Sequence, residues 1–163
     1  MISGKTILLT GGTSGIGAEL VGLLQAENEL IIVGRDAEKL KQAKSQFPGL
    51  KIHRGDLSKP QAGIKLGAKI AASVDKIDMV IHNAAIQNEP KLTDDDFDAA
   101  AIAGEVNTNF TSVIELTHAL LPVLKRSDKA VICNINSGLA LAPKTGSAVY
   151  CATKGGLNVF SQS

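Results

Sequence analysis

The sequence lacks the marks of a secreted, membrane-spanning or nucleic-acid-binding chain. It has two cysteines in 163 residues, Cys133 and Cys151, and they form no Cys-x-x-Cys pair. That excludes a disulfide scaffold and leaves two reduced thiols in or near a core. Charge of one sign is also missing: 17 Lys and Arg stand against 16 Asp and Glu, for a net charge of +1. The chain therefore carries no electrostatic footprint for nucleic acid or an anionic membrane face. No apolar run approaches the roughly 20 residues that span a bilayer. The start, Met1-Ile2-Ser3-Gly4-Lys5, leads directly into an apolar run. It has no signal-peptide layout, so the expected compartment is the cytoplasm. There is no internal repeat, low-complexity tract or linker, and the length suits one domain over residues 1–163.

What is present is an alternation of two hydrophobic periods. Short apolar runs over residues 5–10, 29–33, 50–54, 77–82 and 130–135 read as strands. Helical spacing separates them. Residues 15–27 carry Ile16, Leu20, Leu23 and Leu24, and residues 37–47 end at Pro48-Gly49. Residues 59–73 are a weaker helix because of Gly63 and Gly67. A long helix is expected over residues 100–124, and a last one opens at residue 147. Thr93 before Asp94-Asp95-Asp96 fits a helix cap with acids in the first turn; the alternative, a metal site, explains fewer of these residues. No metal centre is expected. Strand–helix alternation of this kind specifies βαβ units and an α/β fold, a doubly wound parallel sheet.

Gly11, Gly15 and Gly17 follow the first strand and open the first helix. Glycines permit a tight turn and close approach of the backbone to a pyrophosphate, while the helix start offers free N–H groups. Thr13 and Ser14 add hydroxyls, and Ile16 lies between the last two glycines. The second strand ends Val33-Gly34-Arg35-Asp36. Where an NAD site usually places an acid, Gly34 stands, followed by an arginine able to fork a 2′-phosphate. This favours NADP, with NAD as the alternative if Arg35 is only a solvated loop residue. Asp56-Leu57 and Asn83-Ala84 follow the third and fourth strands, at the strand ends where open α/β sheets bind ligands. Asp56 fits an adenine contact or a turn serving Ser58 equally well.

Tyr150 and Lys154 are four residues apart on a predicted helix and share a face. An ammonium beside a phenol favours the phenolate form, which fits that phenol to exchange a proton with a carbonyl or alcohol oxygen. Ser137, at the end of the fifth strand, is placed to hydrogen-bond the same oxygen.

The residues Thr10-Gly11-x-x-x-Gly15-x-Gly17, Asp56-Leu57, Asn83-Ala84, Asn109, Ser137 and Tyr150-x-x-x-Lys154 resemble the short-chain dehydrogenase/reductase family in order and spacing. The resemblance implies a Rossmann-type sheet with strand order 3-2-1-4-5 and an oxidoreductase of a small carbonyl or alcohol substrate. It implies Tyr150 as general acid/base, and Lys154 as its electrostatic support and a ribose ligand. Ser137 would hold the substrate oxygen, and Asn109 a water in a proton relay. Asn107 is the competing asparagine; residues two apart on a helix diverge, so only one serves the site. More narrowly, residues 82–87 and 136–140 resemble the Dlt-type oxidoreductases. Ala85 and His82 depart from the family pattern, and His82 reads as a packed strand-end residue. Family members continue with more of the sheet, so the expectation is a C-terminally incomplete domain whose last strands are missing. A catalytically inactive short relative is the alternative, and homo-oligomerisation is expected of a full-length form.

Overall fold

The computed structural model describes residues 2–89 and 98–163. Five parallel strands, β1 (Thr6–Thr10), β2 (Glu29–Gly34), β3 (Lys51–Arg54), β4 (Met79–His82) and β5 (Val131–Asn134), lie in the order β3-β2-β1-β4-β5. The helices are α1 (Gly15–Leu24), α2 (Ala37–Gln46), α3 (Ala62–Ala71), α4 (Ala99–Val106), α5 (Ser112–Leu124) and α6 (Ala148–Gln162). This is the doubly wound Rossmann-type sheet expected from the sequence.

The alternation of side chains along each strand divides the core in two. Leu8, Ile31 and Val80 face α3 and α5 and pack with Leu66, Ile70, Leu116 and Leu120. Ile7, Leu9, Leu30 and Ile32 face α1 and α2 and pack with Val21 and Leu40. Burying each such side chain contributes about 1.5–3 kcal/mol, which is why the central strands are apolar on both faces. At the opposite end of the sheet from the glycine turn, Asp78 is 4% exposed and ties three segments together. It accepts from Thr6 N–H (2.9 Å), Lys76 Nζ (3.0 Å) and Ser127 Oγ (2.7 Å).

Several elements differ from their sequence pattern. Gly63 and Gly67 do not weaken α3. A Cβ on Gly63 would lie 2.6 Å from the Ser112 carbonyl oxygen, and one on Gly67 2.6 Å from Ala119 Cβ. The glycines let α3 and α5 approach each other. The helix expected over residues 100–124 is interrupted by a π-turn, Asn107–Thr111, between α4 and α5. The buried side chain of α1 is Val21, whereas Ile16 and Leu23 are 64% and 74% exposed. The Thr93 cap with Asp94, Asp95 and Asp96 lies outside the described residues. In the described part, α4 is capped by Asp98, which accepts from Ala100 and Ala101 N–H. β5 forms one edge of the sheet, with Val131 44% and Ile132 42% exposed. Among the described residues, no helix is long and apolar enough to cross a membrane.

Candidate active site

Strand order reverses at β1, whose neighbours β2 and β4 run to opposite sides. A cleft of about 330 Å³ opens there at the C-terminal strand ends, where the connecting loops diverge. The turn from β1 into α1 forms its floor. Gly11 (φ 71°) and Gly15 (φ 53°) occupy the left-handed region, which costs a side-chain-bearing residue energy and glycine almost none. Gly17 is glycine for another reason: a Cβ there would lie far closer to the Gly11 carbonyl oxygen than van der Waals contact allows, and 2.7 Å from Asn83 Nδ2. No acid lies in the first turn of α1, and the side chain of Ser14 at its N-cap accepts no hydrogen bond from the helix. Neither the cap nor the first turn of α1 offsets the positive end of its dipole.

Asn83 braces this turn: its Nδ2 donates to the carbonyls of Thr10 (3.0 Å) and Gly11 (3.2 Å). Thr10, which opens the glycine motif and carries no separate role in the sequence pattern, is a second brace. Its Oγ1 accepts from the N–H groups of Asn83 and Ala84, each at 3.0 Å. Gly11, Thr13, Ser14 and Ile16 line one side of the cleft, and Asn83, Ala84, Ala85 and Ile86 the other.

Arg35, Asp56 and Leu57 close the far end. Arg35 is exposed, and its carbonyl accepts from Arg54 Nε at 3.1 Å, which puts a second guanidinium beside the turn. Asp36 is a helix cap, accepting from Glu38 and Lys39 N–H. Asp56 serves the turn at Ser58 and also faces the cleft. One carboxylate oxygen accepts from Ser58 N–H and Oγ. The Ser58 hydroxyl holds its carboxyl below the ordinary range.

Ser137, Tyr150, Lys154 and Asn109 do not line this cleft but lie on the elements next to it. Lys154 is 3% exposed; its Nζ donates to the Ile135 carbonyl at 2.7 Å and lies 5.7 Å from the Tyr150 ring centroid. Burial pushes its ammonium pKa down. Ser137 starts a short 3-10 turn, Gly138–Ala140, and its Oγ accepts from Leu139 N–H at 3.2 Å. The two asparagines diverge as expected. Asn107 Nδ2 donates to the Ser58 carbonyl. Asn109, in the π-turn and 1% exposed, accepts from Ile86 N–H and donates to the Ile86 carbonyl and to Thr153 Oγ1. Asn109 thus joins the cleft wall at Ile86 to the residue beside Lys154. Thr153 was invisible to motif reading, as was buried Ser147 at the start of α6. His82 is 3% exposed and hydrogen-bonded to Thr117 Oγ1 at 2.9 Å; burial lowers its pKa to about 4, so the ring is neutral.

The family model described as short chain dehydrogenase matches residues 5–163. The chain is 32% identical over 161 residues to the uncharacterized oxidoreductase DltE of Bacillus subtilis, covering 98% of this chain and 64% of that one. It is 30% identical over 167 residues to the D-beta-hydroxybutyrate dehydrogenase of Cupriavidus necator, covering 99% of this chain and 64% of the relative. The solved RhlG/NADP active-site complex from Pseudomonas aeruginosa superposes with a TM-score of 0.84 at 26% identity, over 98% of this chain and 65% of that one. The chain therefore spans just under two thirds of the length of these relatives. Motif order, sheet topology and a match along nearly all of its residues agree: the chain belongs to the short chain dehydrogenase family.

Proposed function

We propose that the chain binds NADP in preference to NAD and transfers hydride between that cofactor and a small carbonyl or alcohol substrate. The observation that carries this reading is the buried Lys154 ammonium set against the Tyr150 ring on the helix beside an open nucleotide-sized cleft. The residues of the cleft fit a dinucleotide. The glycine turn leaves no room for a Cβ at Gly17, and the start of α1 is open to phosphate. Arg35 supports recognition of a 2′-phosphate, since a guanidinium offers a planar fork of donors. Asp56 supports an adenine contact through its remaining oxygen.

When bound, the nicotinamide dinucleotide supplies the hydride. The chain's own residues handle the proton. In the reducing direction the Tyr150 hydroxyl donates its proton to the substrate oxygen as that oxygen gains charge. Ser137 can donate to the same oxygen, because its bond with Leu139 uses only the oxygen as acceptor. Lys154 offsets the negative charge left on the phenol oxygen and keeps two N–H groups for water or ribose hydroxyls. Asn109 holds the helix carrying this pair against the cleft wall, where a relay water could return the proton. The relatives named as oxidoreductases support the reaction class, and the RhlG/NADP complex supports the cofactor.

The test is nicotinamide binding followed by hydride transfer with a panel of ketones and aldehydes. Turnover should vanish in Tyr150→Phe while NADPH affinity stays near wild type; retained turnover rules out the proton-transfer role. Arg35→Ala should weaken NADPH at least about tenfold more than NADH, the worth of a charge-assisted hydrogen bond at about 1.5–3 kcal/mol. Equal losses for the two nucleotides refute the cofactor preference.

A further inference from the structure

The segment Ile86–Glu89 leaves the cleft wall without regular secondary structure, and its residues attach alternately to two different elements. Ile86 and Asn88 bind the α4 side. The Ile86 peptide groups are held by Asn109, Asn88 N–H donates to Glu105 Oε2 at 3.2 Å, and Asn88 Nδ2 donates to the Ala101 carbonyl. Gln87 and Glu89 bind the start of α6. Gln87 Nε2 donates to Ser147 Oγ at 3.1 Å. Ser147 Oγ (3.3 Å) and Lys144 Nζ (2.6 Å) both donate to Glu89 Oε1.

The two anchors are not equivalent to surface contacts. Glu105 and Ser147 are both fully buried. A carboxylate placed there is costly unless it holds something, and what Glu105 holds is the loop backbone at Asn88. The Lys144–Glu89 pair is half-exposed and contributes little alone. Joined to the buried Ser147 hydroxyl, it fixes the loop three residues before Tyr150.

We infer that Ile86–Glu89 is a strap, and that Glu105, Glu89, Lys144 and Ser147 are positioning residues that set where α6 presents Tyr150 relative to the cleft. The catalytic meaning of that coupling rests on the proton-transfer role proposed for Tyr150. The coupling itself does not, and the test below reads position, not turnover.

The chain has one tyrosine and no tryptophan, so ring-labelled tyrosine gives NMR signals from Tyr150 alone. Glu105→Ala releases the Asn88 N–H, leaving only the side-chain bond to Ala101, and should shift the Tyr150 ring signal. Glu105→Gln, whose amide oxygen still accepts from Asn88, should leave it at the wild-type position. In a Ser147→Ala/Lys144→Ala background the strap loses its contacts with the start of α6 and keeps only the Ile86–Asn109–Thr153 link, and Glu105→Ala should then produce a much smaller shift. An unmoved signal in Glu105→Ala with native circular dichroism overturns the inference. So does an equal shift in that background, because α4 also packs directly against α6 and would then be the route. If Glu105→Ala does not fold, the reciprocal measurement decides. Ser147→Ala/Lys144→Ala should speed amide exchange at Asn88 several-fold, and unchanged exchange overturns the strap.

Discussion

His82 makes the stability of this chain depend on mild acid. Its ring sits at the end of β4, 3% exposed, with Thr117 Oγ1 as its polar partner. Burial lowers its pKa from 6.5 to about 4. Between those values the unfolded chain binds a proton that the folded chain refuses, so stability rises with pH across that window. The full contribution is present above pH 6.5 and is lost as pH falls towards about 4. At about 1.4 kcal/mol per pKa unit, the loss amounts to about 3 kcal/mol, a large part of the 5–15 kcal/mol typical of a domain. Two other groups act nearby. His53, its pKa lowered by burial and then by Lys69 and Lys51, adds in the same direction. Glu105, its pKa raised by burial, opposes both, because its folded form holds a proton the unfolded form releases. Urea unfolding followed by far-ultraviolet circular dichroism across this window, in a His53→Gln/Glu105→Gln background, isolates His82. Adding His82→Gln should remove most of the remaining slope. If the slope is unchanged, His82 is not the acid-sensitive group and the reasoning fails.

Two further perturbations have definite signs. Burial alone would raise the pKa of Asp78, but the Thr6 N–H, the Ser127 hydroxyl and Lys76 outweigh it and hold it at about 2, below the ordinary 3.8. Its contribution is present above pH 3.8 and is lost as pH falls through about 2; Asp78→Asn should cost about 2 kcal/mol at neutral pH, and a loss under a tenth of that in urea titrations would contradict the brace. Gly17→Ala must displace both the Gly11 carbonyl and the Asn83 amide, an overpacking cost of about 1–3 kcal/mol. It should abolish NADPH binding measured by fluorescence titration, and wild-type affinity would show that the turn is not the nucleotide site.

Much of the fold was legible in the sequence because hydrophobic period is a local property. Ile7-Leu8-Leu9 reads as a doubly buried strand without knowledge of its neighbours, and so does Ile31-Ile32-Val33. The elements least legible are those where a distant partner reverses a local rule. Gly63 and Gly67 argue against a helix until Ser112 and Ala119 are seen to need the space. The π-turn at Asn107–Thr111 has no hydrophobic signature, and Leu23 keeps helical spacing while facing solvent.

The same division runs through the candidate site. Sequence alone determined which residues stand at strand ends and helix starts. It set Tyr150 and Lys154 on one face and separated Asn107 from Asn109, because spacing on a regular element dictates direction. Tertiary structure alone decided what each polar group spends its hydrogen bonds on. Asp36 caps a helix, Asn83 and Thr10 brace the glycine turn, and Asp56 is divided between Ser58 and the cleft. Glu89 finds Lys144 and Ser147, 55 and 58 residues away. A periodic pattern is written within a few residues. The partner of a buried donor or acceptor is chosen by whatever the packed core brings within about 3 Å of it.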